Sequence, residues 1–309
     1  MGGPVVLPAP LCSDGGMPDT AEFSRPEATD PCALRALAVE VARDAARHAR
    51  SRRAELFPPT GTGSGAGSVS TKSTATDPVT VVDTECEELI RRHLERVRPG
   101  DGFLGEESGT GTSAGGGVQW VVDPIDGTVN FVYGIPASAV SVAARVDGVT
   151  VAGAVVDVTS GETYSAALGH GATRTAVTGE VTDLGCNPVT DLGLALVATG
   201  FSYSARRRAR QGELLAELLP RVRDIRRIGA AALDLCMVAS GRVDAHYEHG
   251  LNPWDWAAGA LIASEAGAVV RLPDGFGDAG EITVAAAPGI ARSMAAALAE
   301  IGADSPIPE

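Results

Sequence analysis

The chain has 309 residues, of which 44% are hydrophobic and only 4% aromatic, enough for one large domain or two packed lobes. Its formal net charge of −14 disfavours binding to nucleic acid or to an anionic membrane surface. No apolar run approaches the roughly 20 residues that cross a bilayer, and the start of the chain does not resemble a signal peptide. The five cysteines form no CxxC pair, so we expect reduced thiols and a cytoplasmic protein.

The first 60 residues predict a tail followed by a helix. Residues 1–29 are rich in Pro, Gly and polar residues without periodicity, so we expect a disordered N-terminal tail. Asp30 and Pro31 are a typical N-cap and first helical residue. The helix should run to about Leu56. Residues 60–70 are almost entirely Gly, Ser and Thr, a composition typical of a flexible linker.

Four acidic segments stand out beyond this linker. The segment 77–83 should open a helix that runs to about Val97, and Gly102–Leu104 should form a short strand ahead of Glu106. The apolar run 118–122 predicts a buried strand that Pro124 ends, because proline offers no N–H to a ladder. A fourth acidic segment, starting at Trp254, should open a helix that runs to about Gly267.

Asp123 and Asp126 should turn towards a common point where their strand ends. Gly127 and Thr128 follow at the expected start of a helical turn, where free N–H groups favour an anion. An isolated DxxD would most simply cap a turn. Carboxylates beside an anion-binding helix start need a cation between them, and with a divalent metal ion they make a phosphate site.

The remaining strands and helices predict two lobes. Residues 138–145, 149–156 and 163–168 read as an antiparallel meander joined by glycine-containing turns. After about residue 185, strands and helices alternate, as in an α/β lobe. We therefore expect an N-terminal α+β lobe over residues 30–185 and a C-terminal α/β lobe over residues 186–309. Strands are expected at 195–199, 224–227, 243–247 and 282–286, and helices at 209–219, 229–240, 255–266 and 290–301.

The motifs WVVDPIDGTVNF (120–131), GEES (105–108) and WDWAAG (254–259) together resemble the inositol monophosphatase family of magnesium-dependent, lithium-sensitive phosphatases, in its bacterial SuhB-like branch. The resemblance runs from about Leu34 to the end of the chain. It implies a layered α-β-α-β-α sandwich of the inositol monophosphatase and fructose-bisphosphatase type, with the site between the lobes. It also implies a homodimer.

The resemblance implies a site for two or three Mg²⁺ ions. Glu106, Asp123 and the Ile125 carbonyl would hold one ion, and Asp123, Asp126 and Asp255 the second. Glu106 would also contact a weaker third ion through water. The catalytic set would be Asp83, Thr128 and Glu106, with Asp83 and Thr128 orienting the attacking water. The N–H groups of Gly127 and Thr128 would bind the phosphate, and the substrate-binding residues would be Asp126, Ala231 and Glu248.

The substrate implied by the resemblance is a small phosphate monoester, with myo-inositol 1-phosphate preferred. Histidinol phosphate, fructose 1,6-bisphosphate and 3′-phosphoadenosine 5′-phosphate are alternatives, and some bacterial relatives act as partners in ribosomal RNA transcription. The segment 58–76 could form a mobile flap in which Lys72 faces phosphate or water. Asn252 and Pro253 depart from the commonest family pattern and leave the sugar specificity open.

Four sets of residues invite a different interpretation. His246 and His249 lack HExxH spacing, so ordinary strand-end histidines are favoured over zinc ligands. The basic clusters 206–208 and 226–227 read as a solvated helix edge. Glu107 reads as a supporting or surface carboxylate and not as a ligand. Asp83, Asp255 and Glu248 could each be simple surface or helix-start acids.

Overall fold

The computed structural model describes residues 29–57, 69–71, 78–110, 117–273 and 280–309. The predicted tail, most of the predicted flap and Lys72 lie outside these residues. A small antiparallel pair, β1 (Val69–Thr71) and β2 (Pro78–Thr80), stands on either side of one gap. In the part of the chain that the structure describes, no helix has the length and apolar character needed to cross a membrane.

An eight-stranded sheet forms the N-terminal half of the fold. Its order is β10-β9-β8-β7-β6-β5-β3-β4. The ladder between β3 and β5 is parallel, and the other described ladders of this sheet are antiparallel. The strands are β3 (Gly102–Gly105), β4 (Gly109–Thr110), β5 (Val118–Asp126), β6 (Ala139–Val146), β7 (Val149–Asp157), β8 (Thr163–Ala167), β9 (Ala172–Thr175) and β10 (Val181–Asp183).

A five-stranded mixed sheet follows, with the order β12-β11-β13-β15-β14. Strand β11 pairs in parallel with β12 and β13, whereas β15 pairs antiparallel with β13 and β14. Strand β14 was not predicted from the sequence, and neither were β4, β9 and β10 of the eight-stranded sheet. The strands are β11 (Leu196–Thr199), β12 (Asp224–Arg226), β13 (Ala245–His249), β14 (Val269–Arg271) and β15 (Ile282–Ala286).

Seven α-helices cover these sheets within the described residues. They are α1 (Pro31–Leu56), α2 (Val81–Val97), α3 (Thr128–Tyr133), α4 (Ala205–Leu218), α5 (Ala231–Ala239), α6 (Pro253–Glu265) and α7 (Ala291–Glu300). Asp30 caps α1 as predicted, since its side chain accepts from the N–H groups of Cys32 and Ala33. Helix α6 ends at Glu265, two residues before the expected end.

The apolar clusters give the layer order. One cluster joins α1 and α2 to one face of the eight-stranded sheet. A second joins the opposite face to α5 and α6, which also contact the five-stranded sheet. A third packs α4 and α7 on the far face of the five-stranded sheet. The predicted α-β-α-β-α sandwich is thereby confirmed, while the division at residue 185 stays a prediction.

Small residues let the layers approach closely. At Gly153 in β7, an added Cβ would lie 2.9 Å from the Cα of Ala258 in α6. Side chains on real residues essentially never approach backbone so closely, so the sheet and this helix can pack only with glycine at that position. The low aromatic content and the abundant Gly and Ala therefore follow from the packing of α6 on the central sheet.

Two expectations about local structure were wrong. Pro124 does not end its strand: β5 continues to Asp126, and its register against β6 shifts between Asp123 and Asp126. This irregularity accommodates the proline, whose missing N–H costs least outside a regular ladder. The segment expected to open α2 instead contains β2, and the helix begins at Val81 with Thr80 as its N-cap.

The basic cluster 206–208 is not simply a solvated helix edge. Arg207 is 1% exposed, and its Nε donates to the carbonyl oxygen of Ile307 at 2.6 Å. Arg226 lies in strand β12 and pairs with Asp224 at 2.7 Å. The burial of Arg207 depends on a segment a hundred residues later, which local sequence patterns do not reveal.

Candidate active site

The irregularity in β5 places the two aspartates of the DxxD motif at the start of α3. Asp123 Oδ1 accepts from the N–H of Ile125 at 2.9 Å, which fixes the carboxylate against its own turn. Asp126 Oδ2 accepts from the N–H of Ala232 at 2.7 Å, at the start of α5. One aspartate is therefore held locally, and the other ties the eight-stranded sheet to the next helical layer.

Gly127 connects the motif to α3 in a left-handed conformation, with φ of +85°. A Cβ there would lie 2.8 Å from the carbonyl oxygen of Ala137 and 2.9 Å from that of Gly229. Asn130 Nδ2 donates to the Ala137 oxygen at 2.8 Å and to the Ile228 oxygen at 2.9 Å. The chain around residues 228–229 is thus fixed against α3, although 100 residues separate them.

Asp83 lies in the first turn of α2 and is completely buried. Its Oδ2 accepts from the N–H and the hydroxyl of Thr80, which makes a capping box at the start of α2. Its Oδ1 is 3.0 Å from the hydroxyl oxygen of Thr128. That hydroxyl is also 3.0 Å from the carbonyl oxygen of Ile125. Because the hydroxyl has one proton, it donates to only one of these two acceptors at a time.

Glu106 is positioned by a carboxylate that the sequence did not single out. Glu87 in α2 is 4% exposed, and its Oε2 accepts from the N–H of Glu107 at 2.8 Å. A Cβ on Gly105 would lie 2.3 Å from this oxygen. Arg91 holds the other Glu87 oxygen at 3.1 Å. The glycine of the GEES motif therefore makes room for the group that holds the loop carrying Glu106.

Asp255 occupies the first turn of α6. Its Oδ2 accepts from the N–H of Asn252 at 2.7 Å, and Pro253 is the first residue of the helix. The hydroxyl of Ser141 in β6 donates to the carbonyl oxygen of Trp254 at 3.2 Å. The capping role and a ligand role for Asp255 are compatible, because the cap engages one carboxylate oxygen.

The buried carboxyl groups of the site raise one another's pKa. Burial is the largest cause for Asp123 and Asp255, whose pKa values lie well above the usual range. Glu106 is the next cause for both, since its negative charge opposes their ionisation, and it also shares a hydrogen bond with Asp123. Burial raises the pKa of Asp126 to about 6, although hydrogen bonds from the N–H groups of Ala232 and Ala231 lower it in part. A cation bound among these groups would offset the repulsion between Glu106, Asp123 and Asp255.

The chemistry of these groups fits Mg²⁺, which prefers carboxylate and carbonyl oxygens and keeps several waters. Glu106, Asp123, Asp126, Asp255 and the Ile125 carbonyl would supply such oxygens. As their side chains stand, no group of three or more His, Cys, Asp and Glu in the described residues forms a ready metal site. Like charges repel one another, and a cation bound among these oxygens would draw them towards a common point.

Glu248 approaches the site from β13 in the second sheet. Burial raises its pKa to about 8, the charge of Arg227 opposes this shift, and that of Asp126 adds to it. A Cβ on Gly200, the residue after β11, would lie 2.1 Å from Glu248 Oε2. The absence of a side chain at position 200 therefore leaves the space that this carboxylate fills.

Hydrogen bonds and charge interactions thus link most of the residues predicted for the site. Ala231 contributes a backbone N–H to Asp126, so that group already has a partner. Sequence reasoning missed Glu87, Gly200 and Arg227. Each lies many residues away in the chain from the residue that it supports. Only Gly105, the glycine of GEES, could have suggested that another group packs closely against the chain there.

These features match those of a known class of phosphatases. The family model described as "Inositol monophosphatase family" matches residues 33–303. The chain belongs to the inositol monophosphatase family, as a SuhB-like enzyme.

Among its relatives is the inositol-1-monophosphatase SuhB of Mycobacterium tuberculosis, 55% identical over 93% of this chain and the whole of that protein. The inositol-1-monophosphatase of Mycobacterium leprae is 58% identical, over 90% of this chain and 97% of that one. The solved structure of Mycobacterium tuberculosis SuhB covers 90% of this chain and all of that chain, with a TM-score of 0.75 and 51% identity. The Nus factor SuhB of Vibrio cholerae is 40% identical, over 65% of this chain and 73% of that one.

Proposed function

We propose that this protein hydrolyses myo-inositol 1-phosphate to myo-inositol and phosphate with the help of two or three Mg²⁺ ions. The cluster of buried and partly buried carboxyl groups carries this proposal. Glu106, Asp123 and Asp255 oppose one another's ionisation in a chain that already has an excess of negative charge. This cluster would repel an anionic substrate unless cations bind between the carboxylates and the substrate.

The proposed ligands are those that the family resemblance implies. Glu106, Asp123 and the Ile125 carbonyl would hold one ion, and Asp123, Asp126 and Asp255 the other. When bound, Mg²⁺ neutralises the charge of a phosphate, lowers the pKa of a water and stabilises the leaving oxygen.

Asp83 and Thr128 would orient the attacking water and take its proton. Burial raises the pKa of Asp83 to about 6, and the charges of Glu106 and Glu107 add to this shift. A general base whose pKa lies near the working pH is well suited to accept a proton. The Thr128 hydroxyl, hydrogen-bonded to Asp83, fixes the direction of the transfer. The N–H groups of Gly127 and Thr128 would bind the phosphate oxygens.

Glu248 would accept hydrogen bonds from hydroxyl groups of the inositol ring. This residue is separate from the carboxylates proposed for Mg²⁺, but its charge interacts with that of Asp126. An inositol ring that spans the distance between Asp126 and Glu248 would place its phosphate beside the DxxD motif and its hydroxyl groups at β13. The relatives named inositol-1-monophosphatase support this choice over the other phosphate esters.

A second candidate is a partner role in transcription, because one relative is named a Nus factor. That relative is less similar than the two mycobacterial enzymes, and the acidic site residues are all present here. A pull-down from lysate would test this role. We also propose a homodimer and lithium sensitivity from the family resemblance.

The test is a panel of phosphate monoesters scored by released phosphate, with and without Mg²⁺. We expect turnover only with Mg²⁺ and the highest kcat/KM on inositol 1-phosphate. The panel should include histidinol phosphate, fructose 1,6-bisphosphate and 3′-phosphoadenosine 5′-phosphate. A higher kcat/KM on one of these would replace the proposed substrate, and turnover in excess chelator would overturn the metal-dependent chemistry.

A further inference from the structure

Two buried ionisable residues, His246 and Asp234, form a line with the partly buried Glu248 behind the proposed substrate face. His246 in β13 is 0% exposed, with Asp234 of α5 on one side and Glu248 on the other. Its Nδ1 lies 3.8 Å from Asp234 Oδ2, and its Nε2 lies 4.0 Å from Glu248 Oε2. Asp234 is itself 1% exposed. The expectation of an ordinary strand-end histidine is wrong for His246, which lies inside the strand against two acids.

The polar atoms of this line lack other partners in the structure. Both ring nitrogens of His246 and the Oδ1 atom of Asp234 are buried without a hydrogen bond. A buried polar atom left in this state is unfavourable, so it favours any arrangement in which it gains a partner. The two gaps exceed a normal hydrogen bond by about 1 Å. In the closed arrangement both of these gaps shorten to hydrogen-bond length.

We propose that Asp234 and His246 are positioning residues that orient the Glu248 carboxylate for the hydroxyl groups of the substrate. This inference rests on the proposed function, because it assigns a partner to the residue proposed to bind the inositol ring. In the closed arrangement, the carboxyl hydrogen of neutral Asp234 is donated to His246 Nδ1. The N–H at Nε2 is then donated to Glu248, whose second oxygen accepts from the substrate.

The surroundings favour this direction of the hydrogen bonds. Burial lowers the pKa of His246 to about 3, so the ring is neutral and has one N–H and one acceptor nitrogen. Burial and the charges of Glu248 and Asp126 raise the pKa of Asp234 well above its usual range. A neutral Asp234 can donate to the ring, which leaves the N–H on the side of Glu248. Burial raises the pKa of Glu248 to about 8 and the charge of Arg227 opposes this shift, but a carboxyl oxygen of Glu248 can accept the Nε2 hydrogen in either protonation state.

The packing leaves Glu248 little other freedom. Gly200 bounds the carboxylate so closely that a Cβ there would overlap it. Strand β13 lies between β11 and β15; Glu248 pairs with Thr283 of β15, directly after the last pair with β11, which joins Tyr247 to Thr199. A carboxylate confined by backbone on one side and by an imidazole on the other presents its remaining oxygen in one direction. Such pre-orientation aids binding because less freedom is lost when the substrate arrives.

The test compares KM and kcat for inositol 1-phosphate and for para-nitrophenyl phosphate, which has no ring hydroxyls. His246→Phe keeps a buried ring of similar size and removes both nitrogens. We expect its KM for inositol 1-phosphate to rise roughly tenfold, the loss expected for one hydrogen bond to a charged group. Its kcat, and both constants for para-nitrophenyl phosphate, should stay near the wild-type values.

Two amide variants identify which ring nitrogen acts. His246→Gln can place an amide N–H near the position of Nε2 and should restore most of the lost affinity. His246→Asn reaches only the position of Nδ1 and should behave like His246→Phe. Equal KM values for His246→Gln and His246→Asn would overturn the proposed role of Nε2–H.

Variants of Asp234 test the direction of the other hydrogen bond. Asp234→Asn can still donate to Nδ1 and should keep a KM near the wild-type value. Asp234→Leu cannot donate and should resemble His246→Phe. A KM for Asp234→Asn as high as that for Asp234→Leu would contradict a neutral, donating Asp234.

The matched control is His249→Phe, which makes the same change three residues along the strand. His249 Nε2 contacts the carbonyl oxygen of Ala303 at 2.8 Å, so its loss should affect stability without changing KM. Melting temperatures of all variants separate loss of folding from loss of affinity.

Glu248→Gln separates failure of this inference from failure of the proposed function. If Glu248→Gln leaves KM for inositol 1-phosphate unchanged, the proposed substrate contact is wrong. If Glu248→Gln raises KM but His246→Phe does not, the positioning role alone is overturned. Because His246 is proposed to act through Glu248, the double variant should be no worse than Glu248→Gln alone.

Discussion

Asp83→Asn should separate the stability of this protein from its activity. Asp83 is fully buried, and burial raises its pKa to about 6 from the usual 3.8. The amide is nearly the same size and can satisfy every neighbour. Its oxygen can accept from the N–H and hydroxyl of Thr80, and its nitrogen can donate to Thr128. The Thr128 hydroxyl then donates to the Ile125 carbonyl, so no buried group loses a partner.

The size of the effect follows from the shift in pKa. A rise of about two units corresponds to about 3 kcal/mol in the free energy of unfolding. Because the folded pKa is the higher one, this stability is fully present below about pH 4. It is lost as the pH rises through about 6. An amide has no such loss, so above about pH 7 the metal-free variant should melt roughly 5 °C higher than the wild type.

Thermal unfolding in excess chelator, followed by circular dichroism at about pH 4 and about pH 8, measures this difference. The variant should be more stable at the higher pH and near the wild type at the lower pH, while its kcat with Mg²⁺ falls strongly. Glu88→Gln is the matched control, because Glu88 lies on the same helix, is exposed and pairs with Arg92. A difference between Asp83→Asn and wild type that does not grow with pH would refute the proposed cost of ionising Asp83.

Four further predictions concern the chemistry of the site. Asp123→Asn should lower kcat by roughly 10³-fold while the melting curve of the metal-free protein stays cooperative, and undiminished turnover would contradict a shared metal ligand. Glu248→Gln should raise KM more for inositol 1-phosphate than for a simple alcohol phosphate, and equal effects on both would exclude a hydroxyl-binding role. Lithium should inhibit, since a monovalent ion at a magnesium position supplies too little charge; full activity at high lithium would argue against this family trait. Thr128→Ala should lower kcat with little change in KM, and its combination with Asp83→Asn should be little worse than the worse single variant, whereas full additivity would contradict a shared role.

The proposed site was predictable from sequence because its residues belong to short motifs. Asp123, Asp126 and Thr128 lie within six residues, and Glu106 and Asp255 each stand in a motif of their own. The chemistry of clustered acids beside a helix start then predicts a cation without any knowledge of the fold. The order of the layers was implied by the family resemblance.

Long-range contacts could not be predicted in this way. The irregularity at Pro124 is defined by the register between β5 and β6, and β6 begins 15 residues later. Glu87 of α2 accepts a hydrogen bond from the loop that carries Glu106, and its carboxylate fills the space that the missing side chain of Gly105 leaves open. The burial of His246 depends on α5 and on its own sheet. The spacing of residues in the sequence therefore showed only that His246 does not belong to a zinc-binding motif.

Thr128 links the electrostatics of Asp83 to the backbone of the DxxD motif. Its hydroxyl oxygen is 3.0 Å from both Asp83 Oδ1 and the Ile125 carbonyl oxygen. If Asp83 is ionised, the hydroxyl is drawn to it, and the Ile125 carbonyl is left with its lone pairs available. If Asp83 is protonated, it can donate to Thr128, which then donates to that carbonyl. The state in which Asp83 can accept a proton is therefore also the state in which the Ile125 carbonyl can serve a cation.

The proposed mechanism does not need a nucleophilic side chain. Ser108 follows the two glutamates, but its hydroxyl is hydrogen-bonded to the guanidinium of Arg91, which also holds Glu87. A cation beside a serine does not remove its proton, and the nearby carboxylate is engaged by the Glu107 N–H. Asp83, in contrast, has a raised pKa and a hydroxyl partner that faces the DxxD motif. We therefore expect a water to attack phosphorus directly, without a phosphorylated form of the enzyme.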